Sequence, residues 1–229
     1  MTDPKDILRT HWGFEHFRES QLEIIGSVLS GQNTLALLPT GGGKSICFQI
    51  PGLILEGVTL VVTPLIALMI DQVNELKIKN IKAVAIHGGL SPREIDILLD
   101  NCIYGDIKFL YVSPERLASE LFLARVEKML ISLLVIDEAH CISQWGHDFR
   151  PYYLKIKDFK ELFPIAKFIA LTASATEEVK KDIINQLNME DPKVFQNSYL
   201  RSNLSFVVIK GENKLQKVFE ILNKVAGSS

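Results

Sequence analysis

The chain has 229 residues, 47% of them hydrophobic and 23% charged, so it can bury a large core, and global disorder is excluded. Its net charge of −2 gives no overall attraction for nucleic acid, so any such binding has to rest on a local patch. No basic segment leading into an apolar run opens the chain. The most apolar stretch, Val58 to Ile70, is too short to cross a bilayer and contains Pro64, so neither a signal peptide nor a membrane partner is expected.

In chain order, Asp3-Pro4 reads as a helix cap with proline in the first turn, opening a short helix through Leu8. A second helix is predicted over Glu19–Leu29, with Leu22, Ile25, Val28 and Leu29 on one face and Gly31 as its stop. Strand patterns then fall at Asn33–Leu38, Val58–Val62, Lys82–Ile86, Lys108–Val112, Ser132–Ile136 and Lys167–Leu171. They alternate with helical patterns near 44–55, 65–77, 92–101, 114–128 and 176–187. This alternation predicts an α/β fold: an open parallel β-sheet with helices on both faces. A last strand (Ser205–Ile209) and helix (Asn213–Val225) follow, with Gly227-Ser228-Ser229 as a frayed end or an added tail. Cys47, Cys102 and Cys141 are scattered without a C-x-x-C pair, which suits a reducing cytosol and predicts no zinc ligand cluster.

The chemistry concentrates at predicted strand ends. Thr40, Gly41, Gly42, Gly43, Lys44 and Ser45 form a glycine turn between a buried strand and a helix, the layout of a phosphate-binding P-loop. Glycines let backbone N–H groups converge on an anion. Lys44 would reach the β- and γ-phosphates of ATP, and Ser45 would ligate Mg²⁺. The strict motif wants glycine where this chain has Leu38. Asp137-Glu138-Ala139-His140 follows a second apolar strand, read as lying next to the P-loop strand. Asp137 would hold Mg²⁺ and Glu138 would deprotonate the attacking water. His140 fits either a bridge between the nucleotide and a moving element or a satisfied loop histidine. Thr63-Pro64, Ser113-Pro114 and Thr172–Thr176 sit at three further strand ends, where open α/β sheets bind ligands.

Gln144, Trp145, His147, Phe149 and Arg150 make an aromatic and polar loop directly after the acidic turn. An isolated pair such as Trp145 and Phe149 reads as core. Beside a metal-binding turn, with glycine between the rings, the loop reads as a stacking surface for single-stranded nucleic acid.

The strings LLPTGGGKS, VVTPLIALMIDQV, YVSPERL, DEAHCISQWGHDFRP and ALTASAT, in that order, resemble the first RecA-like lobe of the RecQ family of superfamily 2 DNA helicases, from about Phe14 to Leu204. The resemblance implies a RecA-like P-loop NTPase lobe of a 3′-to-5′ DNA helicase using ATP and Mg²⁺ on single-stranded and partly duplex DNA. It assigns adenine recognition to Phe14, Arg18 and Gln21, strand contact to Thr63 and Pro64, and coupling of DNA binding to hydrolysis to Trp145–Arg150. Thr172 and Ser174 match the motif linking hydrolysis to unwinding, with serine where the family more often has threonine. The implied organisation is N-terminal helices with the adenine motif over 1–32, the ATP-binding lobe over 33–204, and a strand and helix over 205–229 leading toward a second RecA-like lobe. That second lobe, which would supply an arginine finger, has no counterpart in the chain, so either a piece cut after the first lobe, the favoured reading, or a natural short relative is expected, monomeric and without unwinding activity of its own. A bacterial source would place it in the cytoplasm with the nucleoid, a eukaryotic one in the nucleus. Rival readings are a P-loop ATPase that remodels protein and a non-catalytic binding module; the intact Glu138 argues against the second.

Overall fold

The computed structural model describes residues 2–146, 148–197 and 214–225. Its contacts divide the chain into one unit over Met1–Tyr199 and another over Leu200–Ser229. In the second unit the described element is a helix over Lys214–Val225. The expected strand Ser205–Ile209, the Gly227-Ser228-Ser229 end and His147 lie outside the described residues.

In the first unit, α1 (Pro4–Trp12) starts where Asp3 accepts from the Lys5 N–H at 2.9 Å and Pro4 needs no N–H partner. It runs a turn past the expected end at Leu8, because Gly13 (φ 71°) is the first residue that takes the left-handed cap without strain. Helix α2 (Gln21–Ser30) stops at Gly31 as expected. Its buried face is Gln21, Ile24, Ile25 and Val28, whereas Leu22, expected inside, is 42% exposed. The helix is rotated so that Gln21 reaches the glycine loop.

The remaining elements are β1 (Thr34–Leu37), α3 (Lys44–Ile54), β2 (Val58–Val62), α4 (Ile66–Ile78), β3 (Ala83–Ile86), α5 (Pro92–Tyr104), β4 (Phe109–Val112), α6 (Glu120–Val126), β5 (Ile131–Ile136), α7 (Lys155–Glu161), β6 (Lys167–Thr172), α8 (Glu177–Gln186) and β7 (Lys193–Gln196). Short 3₁₀ turns fill Pro114–Ala118, Ala139–Ile142 and Pro151–Leu154. The helix expected over 114–128 is split at Ser119, whose extended backbone separates the 3₁₀ turn from α6.

Among the described residues the sheet has seven strands, all parallel, in the order β3-β4-β2-β5-β6-β1-β7. Alternate residues of each strand feed separate apolar layers: Leu134 and Ile136 join one, Leu133 and Val135 the other. Both faces are therefore covered, which is why the inner strands read as unbroken apolar runs. The order corrects one expectation. Strand β5, which ends just before Asp137, does not adjoin β1; β6 lies between them, pairing with both. That places Thr172, the last residue of β6, between the glycine loop and the acidic turn. Among the described residues no helix is long and apolar enough to cross a membrane.

Candidate active site

The glycine loop joins β1 to α3. Gly41 and Gly43 have φ of 78° and 77°, which L side chains rarely adopt. A Cβ on Gly43 would lie 2.3 Å from Gln21 Nε2, so the loop and α2 fit together only because that side chain is missing. Lys44 opens α3, and its ammonium lies 3.2 Å from Glu138 Oε1. Residues 94 apart in sequence are thus joined across one cavity of about 500 Å³, which Thr40, Ser45 and Asp137 also line.

Asp137 is 4% exposed and held on every side. Thr63 Oγ1 donates to its Oδ2 at 3.4 Å, the Glu138 N–H to its Oδ1 at 3.0 Å, and the buried Tyr153 hydroxyl to its backbone carbonyl at 2.9 Å. Burial, and then the neighbouring Glu138 charge, push its carboxyl up to about 6 against the pull of Lys44. Glu138 takes a left-handed backbone, φ 47°, which turns its side chain toward Lys44 and His140. Burial alone would raise its carboxyl; His140 and Lys44 outweigh that and hold it below the ordinary value. The two adjacent carboxylates are therefore driven apart by their surroundings, the pattern of a site in which they serve different tasks.

Arg18, Gln21 and Phe14 flank the loop. The Arg18 N–H donates to Gln21 Oε1 at 2.8 Å, Gln21 Nε2 donates to the Gly43 carbonyl at 3.1 Å, and the Arg18 guanidinium donates to the Gly41 carbonyl. Phe14 is half exposed and lines the same cavity. On sequence pattern alone Gln21 would be an ordinary surface helix residue; it is 2% exposed.

Sequence reasoning missed Gln72, which lines the cavity from α4. Its Oε1 is buried without a hydrogen-bond partner. A glutamine within the buried stripe Met69, Val73 and Leu76 was the available signal. The Ser45 hydroxyl and the Asp137 carboxylate, which line the same cavity, are hard oxygen donors that fit a hydrated Mg²⁺.

His140 Nδ1 lies 2.9 Å from Thr172 Oγ1 and 3.3 Å from Glu138 Oε2, and Thr172 Oγ1 in turn contacts the Ser174 backbone. These contacts link Glu138 to the end of β6 through the His140 ring, an arrangement that both readings of this histidine accommodate. Thr63, expected at the DNA strand, is fully buried behind Asp137, so its hydroxyl serves the acidic turn instead. Pro64 and Arg150 do meet: the Arg150 guanidinium donates to the Pro64 carbonyl at 3.1 Å. Gln144 and Trp145 are exposed, Trp145 by 79%, while Phe149 is half-buried.

A parallel sheet carrying a glycine loop and an acidic turn at its carboxyl ends is a RecA-like nucleotide-binding lobe. Residues 18–182 match the DEAD/DEAH box helicase family, and the chain belongs to that family. It is 46% identical over 212 residues to the ATP-dependent DNA helicase RecQ of Bacillus subtilis (92% of this chain, 36% of that protein). To the probable ATP-dependent DNA helicase RecS of the same organism it is 42% identical over 226 residues (98% and 45%). To the RecQ-like DNA helicase BLM of Xenopus laevis it is 41% identical over 215 residues (91% and 16%). Among solved structures, the Hef helicase domain of Pyrococcus furiosus superposes with a TM-score of 0.60 at 25% identity (78% of this chain, 38% of that one). The DUF1998 helicase MrfA superposes at 0.71 with 18% identity (100% and 37%), a likeness of fold alone. The chain spans 36% and 45% of the length of the two Bacillus subtilis relatives.

Proposed function

We propose that this chain is the ATP-binding and hydrolysing lobe of a RecQ-type 3′-to-5′ DNA helicase acting on single-stranded and partly duplex DNA. The observation that carries the reading is the single cavity into which the glycine loop, Lys44, Asp137 and Glu138 converge.

Phe14 and the Arg18 guanidinium would stack on the adenine, and the Gln21 amide would read its donor and acceptor edge. The loop N–H groups and the Lys44 ammonium take the β- and γ-phosphates. Ser45 and Asp137 would hold Mg²⁺, which when bound would offset negative charge on those phosphates. Glu138, released from Lys44 when phosphate arrives, takes the proton of the attacking water as its oxygen bonds to the γ-phosphorus and ADP leaves. His140 then passes the change at Glu138 to Thr172 and Ser174. Gln144, Trp145, Phe149, Arg150 and Pro64 would meet the DNA, and His147 is proposed as a further contact from its place in the sequence. A second lobe would contribute an arginine finger, so the 229 residues alone bind nucleotide, turn it over slowly as a monomer, and do not separate strands. The working compartment is wherever the DNA is, nucleoid or nucleus.

Turnover of ATP by the whole protein with and without single-stranded DNA tests the reading. Stimulation by DNA is expected. Turnover indifferent to DNA would point to a protein-remodelling ATPase instead.

A further inference from the structure

Behind the acidic turn, a second set of ligands converges. A ring nitrogen of His140, Cys141 Sγ and a carboxylate oxygen of Asp148 all lie within 4.8 Å of one another. The sulfur is 3.8 Å from the ring nitrogen and 3.6 Å from Asp148 Oδ2. A tetrahedral ion with bonds of about 2.0–2.3 Å separates its ligands by about 3.3–3.8 Å. Two of the three edges already have that length, and the third closes by turning Asp148, which is exposed.

The other side of the histidine supplies an independent observation. Its Nδ1 sits between Glu138 Oε2 and Thr172 Oγ1, at 3.3 and 2.9 Å. In the tautomer that places the proton on Nδ1 toward this carboxylate, Nε2 offers its lone pair to the side of Cys141 Sγ, 3.8 Å away. Carboxylate, imidazole and metal in a row is the arrangement that fixes the tautomer of ligating histidines. Sequence reading of the cysteines could not show this, because the set uses one cysteine, its neighbour and a residue seven positions on.

We propose that His140 Nε2, Cys141 Sγ and Asp148 Oδ2 form an inhibitory site for a thiophilic divalent cation of the zinc type, with water as the fourth ligand. A thiolate and an imidazole select such an ion over Mg²⁺, which prefers oxygen. As the sulfur–metal bond forms, the thiol proton leaves to solvent. The ligands bracket residues 142–147, so the ion closes the segment carrying Trp145 into a ring. It also takes Asp148 Oδ2 from the Arg150 guanidinium, 3.4 Å away. The inhibitory consequence rests on the helicase reading above, whereas the binding of the ion does not.

Co²⁺ is the probe. Added to the 229-residue chain, it should give tetrahedral visible bands and a thiolate-to-cobalt charge-transfer band at one ion per chain, bleached by equimolar Zn²⁺ and untouched by excess Mg²⁺. Cys141→Ser should abolish the charge-transfer band. Asp148→Asn, on the surface and safe for the fold, should keep the band and weaken binding about tenfold or more. Cys47→Ala and Cys102→Ala should change nothing. Absence of the band in the parent chain, or its persistence in Cys141→Ser, overturns the site. In the whole protein Zn²⁺ should depress DNA-stimulated turnover more than basal turnover, with the Asp148→Asn variant resistant. A normal band without that inhibition removes the regulatory role. Loss of DNA stimulation altogether, with the band intact, counts against the helicase reading and leaves the metal site standing.

Discussion

Lys44 Nζ and Glu138 Oε1 lie 3.2 Å apart, so the cation that awaits phosphate and the carboxylate that awaits water neutralise each other across the cavity. Both side chains are less than a fifth exposed, which leaves the pair little screened by solvent. A nucleotide must part them, and this sets opposite expectations for the two residues. Lys44→Ala should abolish the rise in melting temperature that ADP or ATP with Mg²⁺ produces, an effect of about 2.7 kcal/mol at a hundredfold excess over Kd. Glu138→Gln should tighten nucleotide binding, since Lys44 is freed, while slowing hydrolysis by about 10²–10⁴-fold. Thermal shift titrations beside turnover assays separate the two; an undiminished shift in the lysine variant would remove Lys44 from the site.

Asp137 makes stability depend on pH. Its carboxyl is pushed from 3.8 to about 6, chiefly by burial, so the folded protein holds this proton more tightly than the unfolded chain does. Between about pH 4 and 6 the folded state binds the more protons, and stability therefore falls as pH rises, by about 3 kcal/mol in all; above pH 6 the loss is complete. Glu138, held below its ordinary value by His140 and Lys44, shifts in the opposite direction. Asp137→Asn should flatten the slope and raise the melting temperature at pH 7, at the expense of Mg²⁺-dependent nucleotide binding. The same stability slope in the asparagine variant would assign the titration to another group.

Gln21 joins two jobs. Its Oε1 accepts from the Arg18 N–H and its Nε2 donates to the Gly43 carbonyl, so it braces the glycine loop before any base arrives. Gln21→Ala should lower stability by about 1–3 kcal/mol and also erase the preference for ATP over GTP. Gln21→Glu keeps the acceptor for Arg18 but sets a carboxylate against the Gly43 carbonyl, and should loosen the loop further. Competition binding with the two nucleotides measures the preference. Full discrimination in the alanine variant would confine Gln21 to the bracing role.

Much of this was legible in the sequence, for a physical reason. Strands such as β2 and β5 are buried on both faces, so composition alone marks them, and Gly31 stops α2 as expected because the cap needs its positive φ. Strand β7 escaped notice because Phe195 is its one buried side chain, and an edge strand need carry no apolar pattern. Strand order was not readable either, since pairing is a long-range choice; β6 between β1 and β5 explains why His140 meets Thr172. Thr63 and Gln72 depend on which way α4 and the end of β2 turn their side chains, which periodicity does not record at a single position. Motifs located the chemistry, and the sheet decided which of their atoms touch.

Trp145 gives the last expectation. At 79% exposed, the ring contributes little to the core, and Trp145→Ala should move stability by no more than about 0.5 kcal/mol. Its backbone is nevertheless placed: the Trp145 N–H donates to Ser143 Oγ at 3.2 Å, and the loop exit is pinned where the Arg150 N–H donates to the Cys141 carbonyl at 2.8 Å. The ring, four residues past Cys141, is a large apolar surface left open to solvent by an anchored loop. Base–aromatic stacking is worth about 1–3 kcal/mol per base, so losing the ring should weaken single-stranded DNA binding by about five- to a hundredfold. Hydrolysis stimulated by DNA should fall with it, while basal hydrolysis, which depends on Lys44 and Glu138, stays near the parent level. Steady-state turnover across a DNA titration reads both quantities from one curve; equal losses in the basal and stimulated rates would mean that Trp145 supports the acidic turn rather than meeting the strand.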